Sequence, residues 1–194
     1  WGPERVTEIP VRFLSLKKNK LNPKYDIGFF SSANWLRSKL GHIDLDNNDK
    51  KNEESLFNYV LEYSKNNNLR LILFLHPLEK NHIYKEITKT YYSKLELKNN
   101  FVIGNINLHS NEGFDKINIG ISLFSTLMFE RIYCGFKTII APFGYKRFPI
   151  KNSALSNICV LDKTELSNKL NESLKLTTKA FFRLNKIDQY SEFI

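Results

Sequence analysis

The chain has 194 residues, of which 42% are hydrophobic, 25% are charged and 2 are cysteines. This length fits one domain, and the hydrophobic fraction excludes an intrinsically disordered chain. Two cysteines exclude a disulfide framework and a four-cysteine zinc site, so we expect Cys134 and Cys159 to be reduced, buried side chains of a cytoplasmic protein. The longest apolar run, residues 71–75, is far shorter than the ~18–20 residues of a membrane-spanning helix.

The net charge is +9, from 29 basic and 20 acidic residues. Such an excess attracts anions, among them nucleic acids, acidic membrane surfaces and phosphorylated small molecules. Loops rich in Lys and Asn, such as residues 17–20 and 66–68, account for the charge equally well. Because no zinc-finger spacing, ribonucleoprotein motif or Gly-rich clamp loop is present, we expect no nucleic-acid partner.

The N-terminal part, residues 1–24, is polar and contains three prolines, which indicates a linker or an N-terminal extension with one short strand over residues 11–14. Because the chain begins at Trp1 and shows no signal-peptide pattern, we expect a trimmed chain or a piece of a longer protein. The next segment, residues 25–30, is an apolar strand that leads into Ser31, Ser32 and Asn34. These polar residues are typical of a helix N-terminus, where they cap exposed amides.

Hydrophobic periodicity and turn residues predict the elements that follow. In chain order the first of them are a loop over 41–52, a helix over 53–66, a strand over 69–75 ended by Pro77, a helix over 83–92, a strand over 101–104 and a turn of helix over 111–114. A strand over 117–123, a helix over 127–133 closed by Gly135 and a strand over 137–141 ended by Pro142 come next. The last are a strand over 158–161, a helix capped by Asp162 and Glu165, and a helical tail over 177–194.

Strands and helices therefore alternate, and the strands are apolar throughout their length. This pattern predicts a doubly wound α/β domain over residues 25–176, with a mainly parallel sheet and helices on both faces. Ligands of such sheets bind beyond the carboxyl ends of the strands. The candidate site residues are therefore those that follow a strand.

Polar side chains follow three of the predicted strands. Ser31 and Ser32 follow the first strand, His76 the second, and Ser125 and Thr126 a later one. Hydroxyl groups at a helix N-terminus, together with its amides, can bind an anion. Each of these residues could instead serve as an ordinary helix cap or a structural histidine.

Several chemistries lack their motif. There is no G-x-G-x-x-G dinucleotide fingerprint, no P-loop and no G-x-S-x-G nucleophile elbow. The histidines at 42, 76, 82 and 109 do not have metal-ligand spacing. We therefore expect no metal and no tightly bound cofactor.

Two stretches carry a resemblance to a known enzyme class. Residues 69–77 read LRLILFLHP, and about forty residues later residues 118–142 read NIGISLFSTLMFERIYCGFKTIIAP. Over residues 25–175 the chain resembles the C-terminal, donor-binding half of glycosyltransferases with two Rossmann-like domains, the GT-B fold. It is most similar to bacterial surface-polysaccharide enzymes with a His-Pro motif and a Ser-Ser or Ser-Thr motif. These are the sialyl-, polysialyl- and Kdo-transferases of capsule and lipopolysaccharide synthesis, which use CMP-activated sugars.

The resemblance implies a nucleotide-sugar-binding role for individual residues. His76 would contact the donor phosphate or nucleotide, with Pro77 shaping the turn. Ser125 and Thr126 would hydrogen-bond the phosphate, and Glu130 would hold the ribose hydroxyls.

Three further positions belong to this expectation. Ser122 would face the same cleft, and Ser31 and Ser32 would complete the donor site. Arg131 stands where many relatives have a small residue.

The resemblance leaves the catalytic residues unknown. In these families the base comes from the N-terminal, acceptor-binding domain, which we expect to be a partner missing from this chain. Asp26 lies inside a strand, and Glu112 and Asp115 lie in a loop.

Other functions remain open at this point. A non-catalytic Rossmann-like scaffold module fits the short length and the missing base. A CDP-glycerol-type glycerophosphotransferase has a similar pair of motifs. A sugar-nucleotide 2-epimerase is disfavoured because such enzymes need both domains and more acidic residues in the cleft.

The expected acceptor is a surface glycan, and the charge fits a peripheral enzyme at the inner face of the membrane. In the tail, Phe181 and Phe182 lie among Lys179, Arg183 and Lys186 and could touch a membrane. A packed C-terminal helix explains the tail equally well.

Overall fold

The computed structural model describes residues 21–42, 48–96, 101–144 and 153–191. Its strands are β1 (Tyr25–Phe30), β2 (Leu71–Phe74), β3 (Val102–Ile103), β4 (Ile117–Ser122) and β5 (Thr138–Ile140). Its helices are α1 (Asn34–Lys39), α2 (Asp49–Asn66), α3 (Pro77–Lys80), α4 (Lys85–Glu96), α5 (Thr126–Tyr133), α6 (Ser153–Ser156), α7 (Lys163–Ser173) and α8 (Thr178–Leu184). Short 3-10 segments cover His82–Tyr84, Ser110–Lys116 and Asp188–Tyr190.

The five strands form one parallel sheet in the order β3-β2-β1-β4-β5. The chain moves outward from β1 through β2 to β3, then returns to pair β4 with the free side of β1. The order therefore reverses between β1 and β4, which is the topological switch point of a doubly wound sheet. The predicted α/β fold with a Rossmann-like sheet is confirmed.

Helices cover both faces of the sheet, which explains why the strands are apolar throughout. In β2, Leu71 and Leu73 pack into a cluster with α2 and α7, whereas Ile72 and Phe74 pack into a second cluster with α5 and α8. Successive strand side chains point to opposite faces, so a strand buried on both faces must be apolar at every position.

Several predicted boundaries differ from the observed ones. The helix predicted over 53–66 begins at Asp49, because the polar residues assigned to the preceding loop continue its first turn. The strand predicted over 158–161 is a single parallel bridge between Cys159 and Ile140. The predicted strand over 11–14 lies outside the described residues.

The C-terminal segment packs onto the same domain. Phe181 and Phe182 of α8 are fully buried in the cluster that contains Ile140 of β5. Their rings are therefore not available to a membrane surface. In the described part of the chain, no helix combines the length and apolar character needed to cross a bilayer.

Arg131 is the largest fully buried side chain. Its guanidinium carbon lies 5.6, 4.9 and 5.3 Å from the ring centroids of Phe30, Phe114 and Phe136. The two terminal nitrogens donate to the backbone oxygens of Phe114 at 3.1 Å and Lys137 at 3.2 Å. Aromatic faces and carbonyl oxygens thus stabilise a cation that has left water.

A glycine of β4, Gly120, makes room for this cation. Gly28 of β1 and Gly120 of β4 lie opposite each other in the sheet. A Cβ atom at Gly120 would lie 2.5 Å from Nε of Arg131. The absent side chain at Gly120 lets the guanidinium lie directly against the sheet.

We expect Arg131→Lys to lower the free energy of unfolding by about 2 kcal/mol or more, because Lys loses both the planar stacking and one carbonyl bond. Arg183→Lys is the matched control, since Arg183 is exposed on α8, and it should change stability by less than about 0.5 kcal/mol. Urea denaturation of both variants measures the difference. Equal unfolding free energies for Arg131→Lys and Arg183→Lys would contradict a stabilising role for the aromatic cage, that is, the rings of Phe30, Phe114 and Phe136 around Arg131.

Candidate functional site

A cavity of about 290 Å³ opens beyond the carboxyl ends of the parallel strands. Its walls come from the ends of β1 and β2, from the first turn of α5 and from the loop before β4. This is the place where doubly wound sheets bind their ligands. The volume lies near the lower end of the ~300–1,000 Å³ of ligand pockets, so the cavity has room for a small ligand.

Six of the eight predicted site residues line this cavity. They are Ser31, His76, Pro77, Ser125, Thr126 and Glu130. They come from three separate stretches of sequence, and the sheet topology brings them together. Their role in binding a donor stays a prediction.

The other two predicted residues lie off the cavity. Ser122 is fully buried, because alternation along β4 turns its side chain to the sheet face that α5 covers. Ser32 donates from Oγ to the backbone oxygen of Phe124 at 3.3 Å, which holds it outside the lining. Neither side chain is among the residues that line this cavity.

Ser125 is the N-cap of α5. Its Oγ accepts the amide of Leu127 at 3.3 Å, as expected for a hydroxyl at this position. Thr126 follows as the first helical residue, and Glu130 lies one turn further on the same helix. The cavity therefore faces the positive end of the α5 dipole. The carboxylate of Glu130 lines it one turn further along this helix.

His76 is the N-cap of α3. Its Nδ1 accepts the amide of Leu78 at 3.0 Å, and its own amide donates to Oε2 of Glu79 at 2.7 Å. These two bonds form a capping box that fixes the imidazole. Burial and the positive charges of Arg37 and Lys80 lower the pKa of His76 to about 4, so the ring is neutral at pH 7.

Sequence reasoning missed the role of Glu53. This α2 residue is buried, and its carboxylate accepts the amides of Ser32 at 2.5 Å and Asn34 at 2.9 Å. It thus satisfies the N-terminus of α1, where the N-cap residue Ala33 has a left-handed conformation and no side-chain hydrogen bond of its own to the helix. The expectation that Ser31 or Asn34 caps α1 is corrected accordingly, although Ser31 Oγ accepts the amide of Ala33 at 3.0 Å.

A second buried carboxylate, Glu79, supports the turn that carries His76. Its Oε1 accepts from Trp35 Nε1 at 2.5 Å and from the hydroxyl of Tyr92 at 2.7 Å. Trp35 belongs to α1 and Tyr92 to α4, so one carboxylate ties three elements together. A Glu in a helical pattern gives no sequence signal for such burial.

The loop before β4 supplies cavity residues that the sequence did not reveal, namely His109, Ser110 and Asn111. Lys80 anchors this loop by donating to the backbone oxygen of Leu108 at 2.6 Å and to Ser110 Oγ at 3.2 Å. Ser110 in turn donates to the backbone oxygen of Leu75 at 3.2 Å. These bonds join the loop to the end of β2.

The candidate bases named from the sequence lie away from the cavity. Asp26 pairs with Arg70 at the amino end of β1. Glu112 accepts the amide of His109 at 2.9 Å as part of a helix cap. Among the described residues that line the cavity, Glu130 is the one carboxylate.

Two other observations bear on alternative sites. A larger groove of about 720 Å³ is lined by residues of α1, α2 and α4 alone, so no strand end contributes to it. Within the described ranges, no three His, Cys, Asp or Glu side chains are grouped so that they could hold a metal ion.

The buried carboxylate of Glu53 generates a pH prediction. Burial, reinforced by the charge of Glu79, raises its pKa from 4.5 to about 7. The folded state then holds a proton that the unfolded state releases above pH 4.5, so this contribution to stability is lost as pH rises toward 7 and beyond. Between pH 5 and pH 8 we expect the wild type to lose about 2 kcal/mol more unfolding free energy than Glu53→Gln.

Glu62→Gln is the control for this experiment, since Glu62 is exposed on the same helix. Its unfolding free energy should follow the wild-type pH dependence in urea titrations. A Glu53→Gln profile parallel to that of the wild type would contradict the raised pKa.

A scan against protein-family models matches no family, and a search of curated proteins finds no significant match. The functional assignment therefore depends on the geometry of the cavity and on the residues that line it.

Proposed function

We propose that this chain is the donor-binding domain of a glycosyltransferase that moves a sugar from a CMP-activated nucleotide-sugar to a bacterial surface glycan. One observation supports the proposal above the others. His76 and the Ser125-Thr126 pair, which are far apart in sequence, line one cavity at the switch point of a doubly wound sheet. A nucleotide is the ligand that such a position suits best.

The polar groups of the cavity match the parts of a nucleotide-sugar. The neutral imidazole of His76 and the hydroxyls at the start of α5 can donate hydrogen bonds to a phosphate, and the α5 dipole favours its negative charge. The Glu130 carboxylate can accept from two ribose hydroxyls at once.

The chemistry that follows is displacement at the anomeric carbon. An acceptor hydroxyl attacks that carbon, and the bond to the nucleotide phosphate breaks. His76, Ser125 and Thr126 would stabilise the charge that develops on the departing phosphate. The base that takes the acceptor proton would come from a partner domain, since the described cavity residues offer Glu130 alone as a carboxylate.

A thermal-shift panel with CMP, CDP, UDP, GDP and dTDP at millimolar concentration tests the proposal. A ligand at ~100 times its dissociation constant adds about 2.7 kcal/mol to stability, which raises the melting temperature by several degrees. We expect stabilisation by CMP in the wild type and its loss in His76→Ala. His82→Ala is the control, because His82 is exposed and lies outside the cavity.

The other outcomes separate the alternatives. Stabilisation by CDP but not CMP would favour a glycerophosphotransferase, and stabilisation by another base would retain the transferase and change the donor. No response to any nucleotide would favour a scaffold module.

The ribose role of Glu130 has its own test. Glu130→Gln should weaken CMP binding about tenfold, because a charged acceptor of two hydroxyl hydrogen bonds is lost. The same substitution should leave the binding of 2′,3′-dideoxy-CMP unchanged, since that analogue has no ribose hydroxyls to donate. Isothermal titration calorimetry measures both, and an equal loss for the two ligands would rule out the ribose contact.

A further inference from the structure

Arg37 of α1 and His76 at the end of β2 bring two nitrogens close together beside the cavity. The distance between Arg37 Nη2 and His76 Nε2 is 3.3 Å. His76 lines the cavity, and Arg37 of α1 contacts His76 without being one of the lining residues. The nature of this contact depends on which ring nitrogen of His76 holds the proton.

The hydrogen bonds of His76 decide that question. Nδ1 accepts the amide of Leu78, so in the neutral ring the proton must lie on Nε2. Nε2–H then faces the N–H groups of a guanidinium, which has no acceptor atom. The contact is therefore between two donors, and neither satisfies the other.

A second nitrogen of the Arg37 guanidinium, Nε, bears on this contact as well. Its Nε is buried and, within the described ranges, has no hydrogen-bond partner. No carboxylate pairs with Arg37 in those ranges, and its side-chain polar contact there is His76. The buried carboxylates of Glu53 and Glu79 are already bonded to backbone amides, Trp35 and Tyr92. Buried donors of this kind normally have a partner.

We propose that Arg37 and His76 form an anion subsite that holds a phosphoryl oxygen of the ligand. A single oxygen can lie about 2.9 Å from both nitrogens, to one side of the 3.3 Å line that joins them. Such an oxygen gives both donors an acceptor and compensates the charge of Arg37. This inference rests on the proposed function in one respect, namely that the adjoining cavity holds the remainder of a nucleotide.

With this subsite, groups on two sides of the cavity would contact the phosphate. The α5 N-terminus lines the cavity on the β4 side, whereas His76, with Arg37 in contact with it, lines the cavity at the end of β2. A phosphate bound between them would be held from both sides of the switch point. Arg37 would supply the permanent positive charge, since His76 is neutral.

The experiment is isothermal titration of CMP, cytidine and inorganic phosphate into the wild type, Arg37→Ala and the control Lys39→Ala. Lys39 is an exposed cation on the same short helix. We expect Arg37→Ala to weaken both CMP and phosphate at least tenfold and to leave cytidine unchanged, while Lys39→Ala binds all three as the wild type does. Binding of CMP to Arg37→Ala within twofold of wild type would overturn the subsite while leaving the proposed function intact.

Two results separate the subsite from the proposed function. Arg37-dependent binding of inorganic phosphate without any binding of CMP would support the subsite and refute the nucleotide site. No binding of either anion to the wild type would refute both.

A measurement on the unmodified protein does not depend on how the variants fold. Nitrogen-15 NMR of the histidines should show the Nε2–H tautomer for His76, and added phosphate should shift its Nε2 resonance. An Nδ1–H tautomer would make the contact an ordinary hydrogen bond from Arg37 and would overturn the subsite. Arg37→Lys, which keeps the charge and the helix, should recover part of the phosphate affinity lost in Arg37→Ala.

Discussion

The candidate site depends on two carboxylates that have been taken out of water. Glu53 accepts the amides at the start of α1, and Glu79 accepts the amide of His76 together with the polar groups of Trp35 and Tyr92. Both turns follow strands that end beneath the cavity. Without these acceptors the buried amides of the turns would have no partner, at a cost of ~1–3 kcal/mol for each. The positions of Ser31 and His76 are thus set by buried acidic side chains that do not line the cavity.

The fold followed from the sequence because its signals are local. A strand that is buried on both faces must be apolar at each position. Because predicted strands and helices alternate along the chain, the apolar run at residues 71–75 indicates such a strand. Because parallel strands bring their carboxyl ends to one edge of the sheet, the residues that follow the strands, His76, Ser125 and Thr126 among them, were predicted as site residues. Pro77 and Glu130 came with the resemblance and line the same cavity. What these residues bind is a further step that the fold alone does not decide.

The remainder of the site could not be predicted, because it consists of contacts between distant segments. Glu53 lies in the same predicted helix as the exposed Glu62, and Glu79 lies between a predicted strand and a predicted helix, so the sequence does not mark either as buried. Nothing near Arg37 indicates that it meets His76. The loop with His109 approaches the cavity through bonds from Lys80, which is distant in the sequence. Ser32 fitted the strand-end pattern and Ser122 came with the resemblance, but neither lines the cavity, since Ser122 is fully buried and Ser32 donates to the backbone oxygen of Phe124.

The aromatic cage around Arg131 has a consequence for how this sequence can vary. The guanidinium of Arg131 occupies the space that a side chain at position 120 would need. Arg131 can be buried there because Gly120 has no side chain. A side chain added at 120 alone would clash with Arg131, and a shorter side chain at 131 alone would leave a void. A joint change to a small side chain at 120 and a shorter apolar one at 131 would preserve the packing. The two positions are therefore expected to vary together, and the effects of replacing them singly should not add.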